Sequence, residues 1–317
     1  MLTNKNTATR LTLADVQPAI DYIDGYWKVL TRRSDKRKST LVPLPNPYVV
    51  PSTGNNNFAF EEQYYWDTYF TALGIDDEKL VCGMLDNLLY QLDTFGMIPN
   101  GNRYYFTSRS QPPILTTLIF HIYDKYNKPK SWLKSHIKAA KKEYETVWTA
   151  VEHPHTRKVH QGLSRYYDIN YLHDLAEAES GWDMTPRFKR QCLDYLPIDL
   201  NCLLYKYEAD FARAANILND RAEEQIWHYA AEQRRVTVTK LLWSKRQKFF
   251  FDYNFADQER GKVWSLAAYY TLWSGLATDE QARHLVSKLE RFEKKGGLTT
   301  TIGNYMYHSL FGSAKTQ

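Results

Sequence analysis

The sequence predicts an all-α scaffold that carries its chemistry on long loops, and three observations point there. Apolar residues recur at helical spacing along most of the chain, strand-forming runs are few and short, and no fixed-period repeat marks a helical solenoid. The first helix is expected over residues 14–30. A shorter one begins at Trp66-Asp67, with Gly74 suited to its end. In residues 77–95, Leu80, Val81, Met84, Leu85, Leu88, Leu89 and Leu92 fall on one helical face. Over 131–151, Trp132, Leu133, Ile137, Ala140, Tyr144, Val147, Trp148 and Val151 do the same. "PIDLNCLLYKYEADFARAANIL" opens behind Pro197 and closes before Asn219-Asp220. Further helices are expected at 221–242, 262–275 and 278–294. Strand signals are confined to "YVV" at 48–50, "RYYF" at 103–106 and "FFFDY" at 249–253. Long irregular segments remain at 31–63, 96–112 and 152–196, and loops of that length tend to be functional.

The 317 residues suffice for one large domain with a buried core. The net charge of +5 is spread along the chain, and its densest basic run, "TRRSDKRKS", is interrupted by Asp35, which fits a solvated loop better than a nucleic-acid surface. Cys82, Cys192 and Cys202 form no C-x-x-C pair and suggest a reducing compartment. "MLTNKNTATR" has no apolar signal-peptide core, and no apolar run approaches the roughly 18 residues of a membrane span. These features point to a soluble cytoplasmic protein. The 24 Tyr, 14 Phe and 9 Trp exceed ordinary aromatic usage, and rings that do not build the core can pack against the C–H faces of sugars or stack on bases.

Three constellations carry the polar chemistry. In "EEQYYWDTYFTALGI", Asp67 either caps its helix or grips a sugar hydroxyl beside the Trp66 ring. In "FGMIPNGNRYYFTSRSQPP", Asn100, Asn102, Arg109, Ser110 and Gln111 crowd donors and acceptors that read neutral polyols or, in a structural loop, must satisfy one another. In "ESGWDMTPRF", Asp183 either caps a following helix or acts as a general acid held against Trp182 and nearby Tyr166 and Tyr167, whose rings would dry it. The acidic residues Asp168, Asp174, Glu177, Glu179 and Asp183 lack the spacing of a calcium loop, and His153, His155 and His160 lack a zinc frame, so no metal is expected. Nucleotide loops and the serine-hydrolase elbow are also missing.

Taken in order, these three segments resemble the trehalase family. "VVPSTGNNNFAFEEQYYWDTYFTALGI" is similar to its first signature, "FGMIPNGNRYYFTSRSQPP" to its second motif and "ESGWDMTPRF" to its third. "LPIDLNCLLY", "FFFDYN" and "EKKGGLTTT" continue the likeness from about residue 43 to 301. The resemblance implies an (α/α)6 toroid over residues 1–317, a single catalytic domain, and inverting hydrolysis of α,α-trehalose to glucose without a cofactor. It implies Asp183 as general acid, with Trp66, Asp67, Asn100, Arg109, Ser110, Gln111, Gly181 and Trp182 lining the sugar pocket. The implied partner is a small disaccharide, with neither nucleic acid nor membrane.

Three departures from the family pattern qualify that expectation. The family's G-R-F-R-E reads "FAFEE" here, placing Glu61 where a substrate-binding arginine is expected. The family's R-P-E-S insertion is missing from "RYYDINYLHDLAEAESGWD", leaving Arg165 as a substitute. After "GGLTTT", the sequence leads into "IGNYMYHSLFGSAKTQ" rather than the family's further helices and catalytic glutamate, so a toroid incomplete at its C-terminal end is expected. Hydrolysis of another small α-glucoside or compatible solute, or sugar binding without turnover, remains an alternative. Glu61, Asp67 and Glu179 are the nearby acids from which a base could come.

Overall fold

The computed structural model describes residues 12–303 apart from residues 35, 37, 38 and 55–58. Residues 1–11, residues 55–58 of the lead-in to the first motif, and the run from residue 304 therefore lie outside the described residues. The described residues form ten α-helices: α1 (Leu13–Leu30), α2 (Tyr65–Leu73), α3 (Glu78–Phe95), α4 (Leu115–Lys125), α5 (Lys130–Glu143), α6 (His173–Ala178), α7 (Ile198–Ile217), α8 (Arg221–Leu242), α9 (Tyr270–Trp273) and α10 (Asp279–Val286). The strands are two or three residues long and pair in small antiparallel ladders. No helix among the described residues is long and apolar enough to cross a membrane.

Helices pair in sequence as α2 with α3, α4 with α5, and α7 with α8. The first members of these pairs also pack on one another, α2 on α4 and α4 on α7, with α9 next along α7. This makes α4 and α7 an inner layer and α3, α5 and α8 an outer one. Burial follows that division. On α7, fourteen residues are buried, whereas α8 buries only Ala231, Arg234, Val238, Leu241 and Leu242. A helix enclosed on all sides needs no polar face, and one at the outside needs a single apolar stripe.

The helices expected at 14–30, 77–95, 197–218 and 221–242 are found within a residue or two. The single helix expected over 131–151 stops at Glu143 and widens into a π-helical turn over Tyr144–Trp148. That turn brings the Trp148 indole back to donate to the Glu143 carboxylate at 3.1 Å. Residues 262–275 form a two-residue strand, a 3-10 turn and the short α9, because the Ser265 hydroxyl caps a new turn at Ala267. The helix expected over 278–294 ends at Val286, and "RYYF" folds as a 3-10 turn over Tyr104–Phe106 rather than a strand.

Between α2, α4 and α7 lies a buried polar knot. The Tyr65 and Tyr207 hydroxyls each donate to Glu143 at 2.8 Å. The same hydroxyl oxygens accept the Leu115 N–H at the start of α4, at 3.2 and 2.8 Å. A phenol can do both, so two rings satisfy an otherwise orphaned helix end and pass the bonding on to a carboxylate. Burial raises the Glu143 carboxyl to about 7, a rise that its three donors and the positive charge of Arg157 offset only in part.

Candidate active site

The site is built on the turn that follows α6. Glu177 Oε1 accepts from both the Thr185 N–H, at 2.7 Å, and the Thr185 hydroxyl, at 3.0 Å, so the chain between them is pinned as a closed loop. Gly181 takes φ 72° and Asp183 φ 56°, both left-handed. Aspartate tolerates that conformation better than most side chains, but it still carries strain. Capping of the next turn falls to Thr185, whose Oγ1 accepts the Arg187 N–H, so Asp183 does not serve as the cap. Its side chain stands exposed near the apex.

The expected drying of Asp183 by Trp182 is not what the structure shows. The Trp182 indole instead turns inward, donates to Asp199 Oδ2 at 2.9 Å and packs edge-on against Tyr270 at 6.2 Å. Asp199 is held in turn by the fully buried Arg187, which forks onto Asp199 and Asp252, and by the Tyr166 hydroxyl at 3.1 Å. The unpaired N–H of an indole is costly to bury, and this carboxylate supplies its partner.

Trp66 reaches the same turn from α2. A Cβ added at Gly181 would lie 2.7 Å from Trp66 Cζ2 and 2.8 Å from Cε2, so the ring sits directly on the glycine backbone. Gln111 Oε1 accepts the Trp66 N–H at 3.1 Å, making a side chain of the second motif the cap of α2. Asp67 follows in the first turn of that helix, half-buried, with desolvation raising its carboxyl despite its own and the Trp66 donors. The first and third motifs thus meet at Trp66 and Gly181, and the second joins them through Gln111.

The second-motif loop satisfies much of its own polarity. Asn100 Nδ2 donates to the Ser110 carbonyl at 3.3 Å, and the Ser110 hydroxyl donates to the Ile98 carbonyl at 2.6 Å. The buried Asn102 bridges the Gln63 N–H and the Val42 carbonyl. Arg109 is different. Its Nη1 has only long bonds, 3.3 Å to Ser108 Oγ and 3.5 Å to Asp168 Oδ2, and its buried Nε has no partner. An arginine left this under-satisfied keeps donors in reserve for an incoming oxygen.

Two expectations change role. Arg165 spends its guanidinium on the Thr156, Leu193 and His155 carbonyls at 3.0, 2.6 and 3.2 Å. Each of its three nitrogens is tied to a backbone carbonyl, so it braces three loops. Glu179 is fully buried and accepts from the Ser110 N–H at 2.7 Å, the Tyr167 N–H at 2.8 Å and the Arg157 guanidinium. With both oxygens engaged it cannot take a proton from water. Glu61 is drawn into an ion pair with Arg103, which also holds Glu62. Of the three nearby acids, Asp67 alone is outside an ion pair among the described residues. Sequence reasoning missed Arg157, Asp168, Arg187 and Asp199 as organisers of the site. Their partners lie up to 65 residues away, so no local spacing announces them.

A trehalase family model matches residues 4–174 and 168–310, nearly the whole chain. The chain belongs to the trehalase family. The cytosolic neutral trehalase of Kluyveromyces lactis is 32% identical over 80% of this chain and 41% of that protein. A putative periplasmic trehalase of Escherichia coli O157:H7 is 30% identical over 89% of this chain and 58% of its own length. Among solved structures, neutral trehalase Nth1 from Saccharomyces cerevisiae superposes with a TM-score of 0.73 at 31% identity, covering 85% of this chain and 60% of that one. The chain thus spans about half the length of the curated trehalases it matches. The helix pairs described above are those of the (α/α)6 toroid, and the all-α expectation holds.

Proposed function

We infer that this trehalase-family chain takes part in hydrolysing α,α-trehalose to glucose with inversion, with Asp183 as the general acid. The observation that carries the reading is the seating of Trp66 on the Gly181 backbone, which joins the first motif to the turn that bears the exposed Asp183. Asp183 protonates the glycosidic oxygen as the bond breaks. Trp66 offers an apolar plate to a sugar ring, Asp67 accepts from hydroxyls, and Arg109 supplies its unused donors. Asn100, Ser110 and Gln111 set the shape of the loop beneath. Asp183 is open to water in the structure, so a bound sugar would itself have to cover the carboxyl. Inversion also requires a base whose carboxyl stands about 6.5–9.5 Å from the acid, with room for water between them.

The free cysteines, two of them buried, support a cytoplasmic setting, although the relatives include both cytosolic and periplasmic enzymes. The deciding experiment is glucose release from trehalose by the protein and by its Asp183→Asn variant. The amide keeps the shape but has no acidic proton, so turnover should fall by about 10²–10⁴-fold while sugar affinity persists. Near-wild-type turnover in the variant would remove Asp183 from the role. Faster turnover on another α-linked disaccharide would move the substrate rather than the mechanism.

A further inference from the structure

On the outer layer, away from the residues described so far, a groove of about 670 Å³ opens beside the C-terminal end of α8. Its lining includes Arg235, Lys240, Lys245, Arg246 and Arg260 and contains no carboxylate. Complementing the negative end of the α8 dipole would account for one or two of these cations. It does not account for five converging on one concavity.

Their commitments differ. Arg235 forks onto Glu232 one turn back, at 2.9 and 2.7 Å. Arg260 donates to the Lys240 carbonyl at 2.8 Å, and Lys240 Nζ reaches the neutral Gln161 at 3.2 Å. Lys245 and Arg246, on the turn between the paired strands Trp243–Ser244 and Phe249–Phe250, have no ion-pair partner among the described residues. The nearby acid Glu280 is engaged by Lys248 and His284 at 3.8 and 3.7 Å. The hydroxyls lining the groove add donors. Ser244 Oγ already accepts the Gln247 N–H and Thr278 Oγ1 the Gln281 N–H, so each has its own proton left to give. The exposed Val236 supplies an apolar wall, with the buried Trp243 behind it.

We propose that this groove is a binding site for a small phosphate monoester, with the phosphate taken by Lys245, Arg246 and Arg260 and the organic part lying against Val236. A mostly apolar lining whose polar groups are donors and positive charges suits an organic body ending in acceptors and negative charge, and an arginine fork matches two phosphate oxygens at once. The volume falls within the range of small-molecule sites and exceeds what a bare phosphate would fill.

The test is calorimetric titration of the protein with glucose 6-phosphate, glucose and inorganic phosphate, none of which depends on hydrolysis of trehalose. Saturable binding of glucose 6-phosphate is expected, with glucose silent and inorganic phosphate weaker by about tenfold. The double variant Lys245→Ala/Arg246→Ala, confined to an exposed turn, should weaken glucose 6-phosphate binding by about tenfold or more, since a charge-assisted bond is lost at each residue. The charge-matched control Lys134→Ala/Lys138→Ala on the exposed face of α5 should leave it unchanged. Absence of saturable binding would overturn the proposal. So would equal losses in both double variants, or binding that survives the groove variant but is displaced by excess trehalose. Inorganic phosphate binding as tightly as the ester would reduce the groove to a bare anion patch and overturn it as well.

Discussion

Replacing Gly181 with alanine tests the junction between the first and third motifs, and a control elsewhere in the chain separates its two costs. At φ 72°, any L side chain carries a left-handed penalty of about 1–2 kcal/mol. The new Cβ would also lie 2.7 Å from Trp66 Cζ2 and 2.8 Å from Cε2. Carbon atoms in comfortable contact stand about 3.5–4.0 Å apart, so the indole must retreat by about 1 Å. Phe70 meets that ring edge-on at 5.6 Å, which limits its freedom to move aside. Overpacking of this kind adds about 1–3 kcal/mol to the strain. Gly275 has nearly the same backbone, φ 77°, with nothing within 4 Å of an added methyl, so Gly275→Ala carries the conformational term alone. Thermal melts should therefore place Gly181→Ala below Gly275→Ala by several degrees, at roughly 2–4 °C per kcal/mol for a domain of this size. In the trehalose assay, a shift of about 1 Å in a substrate-positioning group costs on the order of 10²-fold in kcat/KM, whereas Gly275→Ala should match the parent. If the two variants melt together and both retain full activity, Trp66 does not rest on the Gly181 backbone and the account of the site fails.

Three further outcomes are expected. Arg109→Lys keeps the charge but loses the fork and its unpartnered Nε, so KM for the best substrate should rise about tenfold with kcat less affected; unchanged kinetics would reduce the loop to scaffold. Asp168→Asn removes the carboxylate that pairs with Arg109, and in a double-mutant cycle with Arg109→Lys the two effects should be clearly less than additive; strict additivity would show that Asp168 does not position the guanidinium. The Glu143 carboxyl, raised by burial from 4.5 to about 7, binds its proton more tightly folded than unfolded. Its contribution is therefore fully present below about pH 4.5 and lost as pH rises through 7, a swing on the order of 3 kcal/mol. Glu143→Gln imitates the protonated form, so it should flatten denaturant midpoints between pH 5 and pH 8; a slope as steep as the parent's would place the pH dependence elsewhere.

Which parts of this architecture can be read from the sequence follows from where each helix sits. The outer helices α3 and α5 meet the core along one face, so their apolar stripes stand out against polar residues, and α8 is legible through its length of 22 residues behind Asn219-Asp220. The inner helix α4, "LTTLIFHIYDK", is short and carries the β-branched Thr116, Thr117, Ile119 and Ile122, which fit a buried strand as readily as a helix turn, so its pattern does not decide between them. Behind "QPP" it passes for the tail of a loop, and nothing in its pattern announces a helix. The inner helix α7 is legible because it is twenty residues long and enters behind Pro197. The short α6 has too few residues to establish a period.

A similar division runs through the candidate site. Residues whose type is restricted by a local duty, such as the left-handed Gly181 or the ring of Trp66, leave a mark in a contiguous motif. Residues that hold those motifs against one another leave none. Glu179 meets the Ser110 N–H across 69 positions, and Arg187 meets Asp252 across 65. The second pair is a buried ion pair whose carboxylate cannot be removed without leaving the guanidinium uncompensated, at a cost of about 3–5 kcal/mol. Arg165 shows the consequence for residue-by-residue transfer of roles. Its place in "RYYD" suggests a sugar contact, but each of its three nitrogens is already tied to a carbonyl, of Thr156, Leu193 or His155. Arg109, with similar burial and chemistry, keeps an Nε without any partner. The two arginines are distinguished only by what surrounds them, and the functional assignment therefore rests on hydrogen-bond satisfaction rather than on residue type.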